Sequence, residues 1–236
     1  MNNPRIIIPL DYAEGKDALD MARMLEPGRC RLKIGKELFT RCGPQLVEQI
    51  VDMGFPVFLD LKFHDIPNTV AGACRAAAVL GVWMVNVHIS GGKNMLLAAR
   101  EALDNAQHVP LLTGVTVLTS LGEQDLQQLG INKSIADTVL DMALLARECK
   151  LDGVVCSAQE VSMLRTHLAK PFLLVTPGIR PAGADKNDQN RIMTPAEAIR
   201  QGSDYLVIGR PITQAPDPMQ ALDSIEQEIA SINGDR

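Results

Sequence analysis

The sequence predicts a (β/α)8 barrel, a TIM barrel, in a single domain spanning residues 1–236. Eight short apolar runs recur, at 6–10, 31–34, 57–61, 84–89, 111–118, 153–156, 172–175 and 205–208. Most are rich in β-branched side chains, as strands buried on both faces of a parallel sheet should be. Stretches with helical periodicity lie between them, and no Pro/Gly/Ser-rich linker divides the chain. Eight β-α units in 236 residues suit one closed barrel. An open doubly wound sheet is the alternative; no GxGxxG follows the first run, and eight is the natural count for closure.

The first run ends in Asp11, and Ala18, Ala22 and Leu25 then mark one helical face. The second carries Lys33 inside the apolar pattern Leu32-Lys33-Ile34, where an ammonium is hard to dismiss as a solvated side chain. Leu46, Ile50 and Met53 form the next helical face. The third run leads into FLDLKFHDIPNT at 58–69, the most informative stretch of the chain. Strand alternation predicts Asp60 and Lys62 on one face. Asp65 follows three residues after Lys62, and Pro67 suits the first turn of a helix. Two carboxylates and an ammonium thus gather at a strand's C-terminal edge, where burial is costly unless the charges pair or do chemistry.

Gly91-Gly92-Lys93 after the fourth run reads as a plain helix start. His64 and His88 read as structural, because neither has a partnered nucleophile or metal-ligand spacing. The fifth run ends at Thr119 and Ser120, and residues 119–134 are expected to hold a short extra helix. Val139, Ala143 and Ala146 form another helical face, with Leu140 and Leu144 beside them. The seventh run ends in Thr176-Pro177-Gly178-Ile179-Arg180. The polar stretch 180–193 beyond it has the length of a functional lid. The eighth run ends in Gly209-Arg210. Loops after the seventh and eighth strands of such barrels often hold phosphate, where glycine permits close approach and arginine offers a bidentate fork.

Hydrophobic residues make up 46% of the chain, enough for a sizeable core, while aromatics at 3% argue against a base-stacking platform. A net charge of −5 disfavours a polyanion-binding surface but not a small phosphorylated ligand held by a few cations. Five scattered cysteines without a CxxC pair read as reduced thiols. The N-terminal MNNPRIIIPLD lacks an apolar stretch of signal length, and no segment approaches membrane-helix length. The expectation is a cytoplasmic protein with neither nucleic-acid nor membrane partners.

LDY at 10–12, KIGKELF at 33–39, DLKFHDIPNT at 60–69, VTPGIRP at 175–181 and VIGRPIT at 207–213 resemble the bacterial-type orotidine 5′-phosphate decarboxylases. The resemblance runs from residue 6 to about 225. It implies a homodimeric barrel enzyme of pyrimidine synthesis that converts orotidine 5′-phosphate to UMP and CO2 with no metal and no organic cofactor. It implies an alternating charge network of Lys33, Asp60, Lys62 and Asp65, with Lys62 as proton donor. Asp65 and Thr69 would reach into the neighbouring subunit's site. Asp11 and Lys33 would address the ribose hydroxyls, and Thr119 or Ser120 the pyrimidine. Gln189, Gly209 and Arg210 would hold the phosphate, with Arg180 among the substrate-binding groups.

Two other readings are open at this point. Metal-dependent barrels such as 3-keto-gulonate 6-phosphate decarboxylase and hexulose phosphate synthase share the Asp-x-Lys-x-x-Asp spacing and use Mg2+; Lys33, a second cation, argues against them. A noncatalytic barrel that senses UMP would not need the charge network.

Overall fold

Short β-branched runs with no polar face are stable in a sheet covered on both sides, and a barrel supplies that without leaving an edge. The computed structural model describes residues 4–181 and 193–232. Its strands are β1 (Ile6–Pro9), β2 (Arg31–Gly35), β3 (Val57–Phe63) and β4 (Met84–His88). They continue as β5 (Leu111–Val115), β6 (Gly153–Val155), β7 (Leu173–Thr176) and β8 (Tyr205–Val207). All eight are parallel and pair in chain order, and β8 closes on β1 through Ile6–Leu206 and Ile7–Val207.

Each apolar run of the sequence becomes a strand. The fifth departs most from expectation: β5 stops at Val115, not at 118, so Thr119 and Ser120 lie in the loop beyond it. Its neighbour explains the stop. β6 ends at Val155, whose carbonyl accepts from Thr116, and no further ladder partner follows.

The helices of the first half are α1 (Gly15–Arg23), α2 (Lys36–Cys42), α3 (Pro44–Asp52), α4 (Pro67–Val79) and α5 (Lys93–Asp104). Those of the second half are α6 (Glu123–Gln128), α7 (Ile135–Glu148), α8 (Val161–His167), α9 (Pro195–Gln201), α10 (Arg210–Thr213) and α11 (Pro218–Ser231). The expected helical faces point inward: Ala18, Ala22, Leu46, Ile50, Val139, Ala143 and Ala146 are buried. Pro67 occupies the first turn of α4, and α6 is the short extra helix expected within 119–134.

Apolar packing divides in two. The larger cluster fills the space between strands and helices and includes Ile6, Ile8, Leu32 and Leu59. The smaller fills the barrel lumen with Ile7, Phe58, Met84, Val175 and Tyr205. Beside it, the Arg31 guanidinium lies 3.8 Å from the Trp83 ring centroid, a cation–π contact. Because strand side chains alternate, two residues onward the same faces carry Lys33 after Arg31, Asp60 after Phe58 and Asn86 after Met84. One end of the lumen is therefore closed by apolar packing, and the next layer of the same strands is polar.

The wall is tight at Gly153 on β6. A Cβ built there would lie 2.2 Å from the backbone oxygen of Leu173 on β7. Gly153→Ala should therefore destabilise the barrel by about 2 kcal/mol or more. Chemical denaturation checks this, and an unchanged midpoint would contradict the packing described.

Candidate active site

Asp60 is the centre of the polar layer. It sits on β3 with 9% of its surface exposed, and Lys33 on β2 is equally buried. A carboxylate so placed needs partners, and both its oxygens have them. Oδ2 lies 3.3 Å from Lys33 Nζ. Oδ1 lies 2.6 Å from Lys62 Nζ and accepts from Asn86 Nδ2 at 2.7 Å. Lys33 Nζ also stands 3.3 Å from Asp11 Oδ1, just beyond β1. Burial alone would push the Asp60 carboxyl up. The Lys33 and Lys62 ammonium groups, with hydrogen bonds from Lys62 and Asn86, outweigh it and hold the carboxyl below the usual carboxylate range.

Lys62 reaches this cluster by a route that strand alternation does not predict. Its φ is 53°, in the left-handed region that residues bearing a Cβ seldom adopt. The pairing of β3 with β4 shifts register between Leu59 and Phe63, so regular alternation ends before Lys62. Asp60 and Lys62 do meet, but across this irregularity and not along one pleated face. The Lys62 N–H donates to Asn86 Oδ1 at 2.8 Å. Asn86 is fully buried on β4 and escaped the sequence reading. Its signal was an amide inside the apolar run at 84–89, the same kind of signal that singled out Lys33.

Two cavities open beside the Lys33–Asp60–Lys62 cluster. The larger, about 470 Å³, is lined by Asp11, Tyr12, Lys33, Asp60, Pro177, Gly178, Arg180, Gly209 and Arg210, among others. The smaller, about 190 Å³, is lined by Lys33, Phe58, Asp60, Lys62, Thr119, Cys156 and a wall of Val115, Val117, Leu118, Val155 and Val207. Lys33, Asp60, Pro177 and Val207 border both. The charge cluster thus stands between a roomy compartment carrying two arginines and a tight, largely aliphatic one.

Most residues singled out from the sequence converge here. Asp11, Lys33, Asp60, Lys62, Thr119, Arg180, Gly209 and Arg210 all line one cavity or the other. Arg180 is buried and its Nη1 donates to the Ile179 carbonyl at 2.9 Å. Of the pair Thr119 and Ser120, Thr119 borders the smaller cavity, while Ser120 is exposed. Asp65 stands apart from the cluster, exposed, with Oδ1 accepting from the Ile66 N–H at 2.6 Å. Thr69 is exposed on α4. Gln189 and residues 182–192 of the stretch expected to form a lid lie outside the described residues. His64 and His88 face each other with ring centroids 5.5 Å apart. Burial, then the His64, Lys36 and Lys62 charges, lower the His88 pKa. All five cysteines are free. Among the described residues no helix is long and apolar enough to cross a membrane.

Fold and site together define a class: a (β/α)8 barrel with a Lys–Asp–Lys cluster built on a buried carboxylate at the strand ends. Residues 4–225 match the model of the Orotidine 5′-phosphate decarboxylase / HUMPS family, and the chain belongs to that family. It is 59% identical over 232 residues to the orotidine 5′-phosphate decarboxylase of Nitrosococcus oceani, covering 98% of this chain and all of that one. It is 58% identical over 228 residues to that of Saccharophagus degradans, covering 97% and 96% of the two chains. Among solved structures, orotidine 5′-phosphate decarboxylase from Lactobacillus acidophilus superimposes with a TM-score of 0.87 at 37% identity, over 96% of this chain and 99% of that one.

The folded Asp60 carboxyl lies below its unfolded value, so its contribution to stability is present above the ordinary carboxylate range and is lost as pH falls through the folded value. Carbon-detected NMR of the Asp60 side chain should give a midpoint below 3.8, the unperturbed value. A midpoint at or above that value would mean the two ammonium groups do not hold it.

Proposed function

We propose that this chain converts orotidine 5′-phosphate to UMP and CO2 in pyrimidine biosynthesis, without metal or organic cofactor. On this reading residues 1–236 act as one barrel domain, in the cytoplasm, with neither membrane nor nucleic-acid partners. The observation that carries the reading is the Lys62 ammonium, paired 2.6 Å from Asp60 at the edge of a tight aliphatic cavity. Relatives 57–59% identical over nearly the whole chain carry the name of this activity.

Loss of CO2 from pyrimidine C6 leaves an electron pair on a carbon with little resonance help. The protein must supply pre-placed positive charge instead. With the base in the smaller cavity, Lys62 would stand beside C6. The C6–carboxylate bond breaks, CO2 leaves, and the pair left on C6 takes a proton from the Lys62 ammonium. Asp60, 2.6 Å from that ammonium, holds it in place for the transfer. Lys33 keeps Asp60 charged and, with Asp11, meets the ribose hydroxyls. Thr119 or Ser120 addresses the pyrimidine, and the structure favours Thr119 by its position at the cavity. Gly209, Arg210, Arg180 and Gln189 take the phosphate in the larger cavity, so that binding energy remote from C6 is spent on orienting the base.

Asp65 and Thr69 fit this scheme through a second copy of the chain. Both are exposed, and Ile66 between them leaves 68% of an apolar side chain in water. A two-fold dimer would cover Ile66 and bring each Asp65 to the partner's site. The metal-dependent alternative is disfavoured by charge, because both Asp60 oxygens are already engaged by donors.

Ultraviolet absorbance should change when orotidine 5′-phosphate is added, and equally so with EDTA present. Lys62→Ala should remove the activity while the chain stays folded. Retention of more than about a tenth of the rate, a loss under ~1.4 kcal/mol, would refute the proton-donor role.

Subunit mixing tests the dimer. Lys62→Ala and Asp65→Ala chains, each inactive alone, should form heterodimers with one intact site and one doubly damaged site. Random exchange puts about half the dimers in that form, so about a quarter of native activity should return. Mixtures that stay inactive after proven exchange would confine Asp65 to its own barrel.

A further inference from the structure

We propose that Asn86 is a positioning residue whose buried amide holds the Lys62 backbone in its left-handed turn and aims the Asp60 carboxylate at the Lys62 ammonium. This rests on the reading of Lys62 as proton donor given above. The sheet itself cannot do this work. β3 pairs with β4 at Leu59–Val85 and again at Phe63–Val87, so three residues of one strand lie against one of the other. Asn86 is the residue between Val85 and Val87, opposite the gap in the ladder. Its side chain takes the place of the missing backbone acceptor, receiving the Lys62 N–H at 2.8 Å.

The chemistry fixes the orientation of the amide. A backbone N–H only donates, so the Asn86 oxygen must face it, which turns the Asn86 NH2 to the opposite partner. That partner is Asp60 Oδ1 at 2.7 Å, the oxygen that also receives Lys62 Nζ at 2.6 Å. The three residues close a ring: amide to Lys62 backbone, Lys62 side chain to Asp60, Asp60 back to the amide. A left-handed conformation at a residue with a Cβ persists only when its surroundings over-determine it, and this ring is what does so at Lys62. Aspartate or serine could not span the ring in the same way, since it needs a donor and an acceptor on one rigid planar group. Asn86 lines neither cavity, so it acts through Lys62 and Asp60 and not on substrate.

Two measurements test this. In Asn86→Leu, and in Asn86→Ala should the first fail to fold, kcat should fall about a hundredfold while the dissociation constant for UMP stays within about threefold, as for a misplaced catalytic group. A variant that unfolds at lower temperature but keeps kcat within about threefold of native would overturn the proposal and make Asn86 a stability residue only. In the native chain, amide hydrogen exchange should find the Lys62 N–H protected although the strand ladder offers it no partner. Rapid exchange at Lys62 would overturn the proposal without reference to activity. A native chain that fails to decarboxylate orotidine 5′-phosphate would instead refute the functional reading, and the exchange result would still decide whether the clamp exists.

Discussion

A carboxylate buried at the end of a barrel lumen is the constraint on which the rest of the site depends. Asp60 can be ionised there only because three donors, one from its own strand and one from each flanking strand, converge on its two oxygens. Each partner needs it in turn. Without Asp60, the Lys33 and Lys62 ammonium groups would face each other across a poorly hydrated space, and the Asn86 NH2 would be a buried orphan. The cluster is therefore held in one geometry by mutual need, which is what electrostatic preorganisation requires.

The barrel supplies this cluster through alternation. Period two along β2, β3 and β4 sets an apolar or stacked residue at one level and a polar one at the next: Arg31 then Lys33, Phe58 then Asp60, Met84 then Asn86. Packing of Phe58, Met84, Val175 and Tyr205 closes the lower lumen, so the charges above have an apolar, partly aromatic floor and open toward the strand ends. Two compartments of different character meet at the cluster, which gives a ligand with an anionic end and a flat heterocyclic end one sensible orientation.

The fold was legible because buried parallel strands leave continuous β-branched runs that nothing else in a polar sequence imitates. Lys33 and Asp60 were legible for the converse reason, a charge inside such a run. Lys62 was found for a reason that only half holds: alternation pointed to the right pair, yet the chain turns left-handed at Lys62 and reaches Asp60 across a register shift. Local pattern carries no sign of that turn, because its cause is Asn86 on the next strand. The end of β5 was misjudged because a strand's length is set by its neighbour, and β6 is only three residues long. Asp65 and Thr69 stand exposed in the single chain and away from the cluster, so the proposal that they complete a partner's site rests on the resemblance and on a second copy of the chain.

The central claim is that the charge cluster divides the site by function, base on one side and phosphate on the other. A crystal structure of the chain with bound UMP tests it most directly. The expected result is the phosphate against Gly209 and Arg210 in the larger cavity, with pyrimidine C6 within hydrogen-bonding range of Lys62 Nζ in the smaller. A nucleotide bound in the reverse sense, or with its base remote from Lys62, would contradict the account.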